Sequence, residues 1–290
     1  ANYGVLPETS LVRLSNDLDP QVAGFIEPIA TCVCGMRRLR VQPGETVVII
    51  GAGTMGIANA QVAHAFGARV IISELSPKKL ERARSMGFAD VIDATKVDPV
   101  EEIMRLTNGY GADAVIAAVG LGAAYKQGYA MLKRVEGRFL LFAAGYPKPQ
   151  WEIDPNEIHY RRIEIIGTMS GDVADFEDAA FLISHKIVDP SYSLETLGKM
   201  VPLRDMQKAY IAAGSHIIYA PTFGGNRINL TMHGLEDQIE QINHTLAGYS
   251  KEIAPEGVFV AGDITTTGKM MAPAGDMTYE KAFEVYLEQI

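Results

Sequence analysis

Apolar and polar positions along the chain fall into two regimes. Between 46 and 185, short apolar runs alternate with stretches whose apolar residues recur every three or four positions. The first pattern is that of strands and the second that of helices. Strands are predicted at 46 to 50, 69 to 73, 91 to 93, 113 to 119, 138 to 144 and 162 to 168. Helices are predicted at 55 to 66, 76 to 87, 98 to 107, 120 to 134 and 173 to 185. The run Thr46-Val47-Val48-Ile49-Ile50 does not alternate with polar residues, as expected of a strand buried on both faces. Strands alternating with helices predict an α/β fold, a parallel sheet with helices on both faces. Before this block, 11 to 14 reads as a short strand and 22 to 40 as a helix interrupted by Pro28. After it the alternation stops. Residues 216 to 219 read as a short strand, and 235 to 249 as a helix with apolar residues at 235, 239, 242, 246 and 249. A glycine-rich link then leads to a last helix with Phe283, Leu287 and Ile290 inward.

The first long strand runs straight into Gly51, Gly53 and Gly56, with helical spacing from Met55 onward. Strand, tight turn and helix in that order suit a phosphate-binding loop. Gly51 supplies the turn, Gly53 the close approach of a pyrophosphate, and Gly56 the packing of helix on strand. The pyrophosphate then rests on N–H groups at the helix start. Most glycine-rich turns only turn the chain, so the context decides. The second strand ends in Glu74, about twenty residues beyond the glycines, where an acid accepts from ribose hydroxyls. Its bland alternative is a solvated acid at a strand end.

The chain has 290 residues, of which 48% are hydrophobic, enough for one large or two moderate domains. No apolar run reaches membrane-spanning length and no basic-then-apolar leader opens the chain, so a cytoplasmic setting without a membrane is expected. A net charge of -9 with scattered basic residues argues against a nucleic-acid surface. The only cysteines are Cys32 and Cys34. They are too few for a disulfide framework, and two positions apart on a helix they point to different sides. None of the six histidines has ligand spacing. Ala1 to Glu8 reads as the middle of a strand, so an upstream domain is expected.

With Tyr3-Gly4-Val5-Leu6-Pro7-Glu8, Ile26-Glu27-Pro28, Gln42-Pro43-Gly44-Glu45, the GAGTMG turn and the segment 154 to 160, residues 1 to about 220 resemble the medium-chain dehydrogenase/reductases. Within that superfamily they are most similar to the zinc-type alcohol and polyol dehydrogenases. The resemblance implies a Rossmann doubly wound six-stranded parallel sheet. It also implies remnants of a second, GroES-like catalytic domain, with an extra C-terminal α+β segment. The domain division expected is 1 to 24 as the end of the catalytic domain, 25 to 189 as the dinucleotide-binding domain, and 190 to 290 as a return to the catalytic domain plus extension.

The family implies NAD as cofactor, with NADP possible, and zinc in the full-length parent. Glu27 matches a glutamate beside that zinc, as a catalytic and metal residue. Cofactor contacts are implied for Gly51, Gly53, Thr54, Met55, Gly56, Glu74, Lys79, Val119, Gly120, Ala143, Ala144, Thr168 and Met169. Ser170 departs from an arginine found in some polyol enzymes. The implied reaction is hydride transfer between a nicotinamide cofactor and an alcohol or ketone: a polyol, sugar or sugar phosphate. A homo-oligomer is expected. The alternatives are a zinc-independent reductase and a nucleotide-binding module without turnover.

Overall fold

The computed structural model describes residues 11–197 and 205–290; the strand expected over 1 to 8 lies outside them. The chain divides into two compact units, Ala1–Gly198 and Lys199–Ile290.

In the first unit α1 (Pro20–Ala23) and α2 (Ile26–Leu39) precede β1 (Thr46–Ile50), α3 (Thr54–Ala65), β2 (Arg69–Glu74), α4 (Pro77–Ser85) and β3 (Asp90–Asp93). There follow α5 (Pro99–Leu106), β4 (Ala114–Ala117), α6 (Gly122–Met131), β5 (Arg138–Leu141), α7 (Pro155–Arg161), β6 (Glu164–Gly167), α8 (Val173–Ser184) and α9 (Ser191–Leu197). The six strands pair in parallel in the order β3-β2-β1-β4-β5-β6. That order reverses direction between β1 and β4, the switch point where open α/β sheets bind ligands.

Successive side chains of a strand point to opposite faces, and here each face has its own core. Val47, Ile49, Ile72, Ile116 and Leu140 pack with Ile29, Val33 and Met36 of α2 and Ile57 of α3. Val48, Ile50, Ile71, Val115 and Phe139 pack with Ile103 of α5 and Tyr125 and Tyr129 of α6. Two buried faces explain why the β1 run is apolar without alternation.

The helix starts follow from local chemistry. Asp19, Asp98 and Asp154 each precede a proline, and each carboxylate accepts the N–H two residues on. Ser76-Pro77 looks alike in sequence, but the Ser76 side chain makes no cap. The N–H of Ser76 donates instead to Glu74. The helix expected from 22 to 40 breaks at Gly24 and Phe25, not at Pro28. Pro28 falls in the first turn of α2, where no intrahelical N–H bond is lost. The strand expected at 11 to 14 is absent among the described residues; the Ser15 N–H donates to the Ser184 hydroxyl, not to a neighbouring strand.

The second unit contains α10 (Met206–Ala212), β7 (Ile217–Tyr219), α11 (Arg227–Thr231), α12 (Ile239–Ile253), β8 (Phe259–Ala261) and α13 (Tyr279–Gln289). β7 and β8 pair in parallel, Ile217 opposite Phe259, so the chain between them makes a crossover that includes α12. Two sequence expectations need correction. Phe283, Leu287 and Ile290 are exposed, whereas Val285 and Gln289, four apart, face inward. Polar anchors choose that face: Gln289 donates to the Thr222 carbonyl, and Glu288 pairs with Arg227. On α12 only Ile239 of the apolar stripe is fully buried, and Tyr249 is exposed. The buried face carries Asn243 and Ser250, bonded to the Gly225 carbonyl and to Gln207.

Candidate cofactor site

The glycine turn lies at the carboxyl end of β1. Gly51 has φ +97°, and a Cβ there would meet Val119 at 2.8 Å. A Cβ on Gly56 would stand 1.8 Å from the Gly51 carbonyl oxygen, so the helix start lies against the turn. At Gly53 a Cβ would meet nothing within 4 Å. Gly53 is the N-cap of α3 and offers no side-chain oxygen to its N–H groups. The first N–H groups of a helix have no partner within it. Thr54, Met55 and Gly56 therefore aim theirs past an open glycine, a cradle that fits a pyrophosphate.

Glu74 closes the other side. It is 8% exposed, and its carboxylate accepts from the N–H groups of Ala52 at 2.6 Å, Leu75 at 2.7 Å and Ser76 at 2.9 Å. Burial alone would push this carboxyl up. The N–H donors of Ser76, Ala52 and Leu75, with the Lys79 ammonium 3.9 Å away, outweigh it and hold the group below its ordinary range. Glu74 is thus a fixed anion. Gly53, Thr54, Ser76, Lys78, Lys79 and Arg82 line a cleft of about 700 Å³ beside it.

The other predicted residues occupy the same edge of the sheet. Val119 and Gly120 follow β4, Ala143 and Ala144 follow β5, and Thr168 and Met169 follow β6. The loops after β4 and β5 touch backbone to backbone: a Cβ on Gly120 would lie 2.4 Å from the Ala144 carbonyl oxygen. The Tyr125 hydroxyl donates to the Ala143 carbonyl at 3.0 Å and fixes that strand end. Met169 is 94% exposed.

Glu27 stands in the first turn of α2. The far end of α2 is at the amino edge of the sheet, because Arg138, which begins β5, holds the Leu39 carbonyl at 2.5 Å. Midway, Cys34 meets the Thr168 hydroxyl at 3.7 Å. Glu27 lies two turns before Cys34 on the same helix face, about 10 Å further along. It therefore projects at the carboxyl edge. Glu27 is exposed, and the dipole at the start of α2 favours its charge without a metal partner. Among the described residues no group of three or more His, Cys, Asp and Glu could hold a metal ion. These residues alone do not fit a zinc site. Cys32 is buried, which pushes its thiol up, and it faces away from Cys34.

Sequence reasoning missed Arg82 and Tyr192. Arg82 donates to the Ala52 carbonyl at 2.9 Å, and the Tyr192 hydroxyl to the Thr54 carbonyl at 2.7 Å. A contact across 138 positions leaves no local pattern to read.

Residues 54–185 match the zinc-binding dehydrogenase family model, and residues 166–290 match that of homocysteine S-methyltransferase. The sorbitol dehydrogenase of Halalkalibacterium halodurans is 32% identical over 191 residues, 65% of this chain and 55% of the relative. The D-arabitol-phosphate dehydrogenase of Enterococcus avium is 27% identical over 72% of this chain and 59% of its own. The chain thus spans somewhat more than half the length of these curated relatives. A protein of Sinorhizobium meliloti 1021 taken for a zinc-binding dehydrogenase, solved bound to NADP, is 27% identical with a TM-score of 0.57, covering 61% of this chain and 52% of that one. An alcohol dehydrogenase from Thermus sp. ATN1, 24% identical with a TM-score of 0.61 over 69% of this chain and 57% of its own, shares the fold. No helix among the described residues is long and apolar enough to cross a membrane. A chain that folds this sheet around this glycine turn, matches the zinc-binding dehydrogenase model over 54–185 and is 32% identical to a sorbitol dehydrogenase where the two align is similar, through its first unit, to the zinc-type alcohol and polyol dehydrogenases of the medium-chain dehydrogenase/reductase superfamily.

Proposed function

We propose that the first unit holds NAD(H), with NADP(H) as the weaker alternative, in an oxidoreductase acting on a polyol, sugar or sugar phosphate. The observation that carries this reading is the open cradle at Gly53 beside the fixed Glu74 anion. When bound, a nicotinamide cofactor supplies the hydride chemistry. The N–H groups of Thr54 and Met55 would receive the pyrophosphate. Glu74 would face the adenosine ribose and repel a 2′-phosphate, with Lys78 and Lys79 opposing that preference. Val119 and Gly120 would border the adenine side, and Ala143, Ala144, Thr168 and Met169 the nicotinamide. Glu27 would stand beside the alcohol oxygen and the zinc carried by full-length relatives. We further propose a homo-oligomer working in the cytoplasm without nucleic acid.

By itself this chain would bind the cofactor without oxidising alcohols, since one exposed carboxylate cannot hold zinc with three protein ligands. Calorimetric titration with NADH and NADPH tests binding; zinc, NAD and a panel of polyols test turnover. Tighter NADPH than NADH binding would refute the NAD preference, and zinc-dependent turnover would refute the incomplete metal site.

For the second unit we weigh two readings. Residues 190 to 290 as a return to the catalytic domain plus extension is the first. The match over 166–290 supports the other, a methyl-transfer module built on the parallel β7–β8 crossover, taking a thiol substrate such as homocysteine. Isothermal titration with homocysteine separates them: saturable heat supports the second reading, and none supports the first.

A further inference from the structure

Three peptide planes of the glycine turn are each gripped by a side chain from another element. Glu74 of β2 accepts the Ala52 N–H and so fixes the plane between residues 51 and 52. Arg82 of α4 donates to the Ala52 carbonyl and fixes the next plane, which also carries the Gly53 N–H. Tyr192 of α9 donates to the Thr54 carbonyl, whose plane carries the Met55 N–H. A peptide unit is planar, so holding its carbonyl aims its N–H. The first two grips come from the nucleotide-binding half itself. The third comes from a segment beyond residues 54–185, where the dehydrogenase match lies.

That segment is fastened along α3. The Gln61 side chain donates to the Asp189 carbonyl at 2.9 Å and accepts the Asp189 N–H at 2.7 Å. Thr54 and Gln61 lie two turns apart on one face of α3. Tyr192 and Asp189 thus latch the segment at both points. Tyr192 is 7% exposed, and the Arg82 guanidinium lies 5.6 Å above its ring. Burial pushes its phenol up to about 12, so the hydroxyl stays a donor throughout the physiological range.

We propose that Tyr192 is a positioning residue for the dinucleotide: its hydroxyl holds the first turn of α3 so that the Met55 N–H is presented to the pyrophosphate. The proposal rests on the cofactor reading above. Helix ends fray, and a second anchor on the first carbonyl opposes that fraying.

The test is Tyr192→Phe in the full chain, which removes the hydroxyl and keeps the ring. Hydrogen exchange of the Ile57 amide, which donates to the Gly53 carbonyl and closes the first turn of α3, should rise roughly three- to tenfold without ligand, and NADH should bind weaker by a similar factor, the scale of one neutral hydrogen bond. Adenosine, which lacks the pyrophosphate, should bind unchanged, and the unfolding midpoint followed by Trp151 should fall by only about 2–5 °C, the scale of the same single bond. Unchanged exchange and NADH affinity would overturn the proposal, and so would equal weakening of adenosine, the mark of a general structural role. If the unaltered chain binds neither NADH nor NADPH, the cofactor reading has failed and this proposal falls with it. If it binds and the variant matches it, only this proposal has failed.

Discussion

Replacing Gly56 with alanine would place a methyl carbon 1.8 Å from the Gly51 carbonyl oxygen. Ordinary carbon–oxygen contacts lie near 3.3 Å, so α3 would have to lift from the turn by about 1.5 Å. Such overpacking against backbone costs about 3 kcal/mol, a fall of roughly 6–12 °C in the unfolding midpoint of a unit this size. Gly53→Val should fail differently. Its φ of −68° and ψ of −175° suit a β-branched residue, and its Cβ would meet nothing within 4 Å. Losing the glycine N-cap costs under about 1 kcal/mol, yet the side chain would fill the pyrophosphate space. NADH should then bind more than roughly tenfold weaker. Trp151 is the only tryptophan and lies in the first unit, so its fluorescence reports both unfolding and energy transfer to NADH. Gly53→Val binding NADH normally, or Gly56→Ala keeping its midpoint, would refute this reasoning.

The Glu74 carboxyl is held below its unfolded value of about 4.3, so its stabilisation is complete above that pH and is lost as pH falls through the lowered folded value. The stability gap between the parent and Glu74→Gln, from urea unfolding at a series of pH values, should therefore close in acid; a gap that widens in acid contradicts the assigned donors. Arg138→Met removes bonds to the Leu39 and Arg40 carbonyls and to Glu45, and should cost about 3 kcal/mol without changing NADH affinity. Denaturation with a parallel NADH titration checks it. Iodoacetamide on the native chain should label Cys34 before Cys32, because burial pushes the Cys32 thiol up and shields it. Peptide mass analysis reads the order.

The sheet was legible because β1 and β2 are β-branched runs with two buried faces, and the glycine turn because Gly51 and Gly56 meet backbone constraints that no side chain fits. Strand ends were less so: 113 to 119 shrinks to Ala114–Ala117, since the residues that follow already form the ligand edge. The exposure of Glu27 could not be read from its pairing with Pro28. In the second unit, periodicity showed that α13 is amphipathic but not which stripe turns in, because that depends on Gln289 reaching Thr222, 67 positions away. Tyr192 escaped notice for the same reason. Neither position carries a local signal.

In the cofactor reading proposed above, the first turn of α3 receives the dinucleotide. Amide resonances of the isotopically labelled full chain, followed during titration with NADH, test it most directly. The account predicts saturable shifts largest at Gly53, Thr54, Met55 and Gly56, with smaller ones at Leu75 and Ser76, whose N–H groups hold Glu74. Saturating NADH that leaves these amides unmoved while shifting others would contradict it.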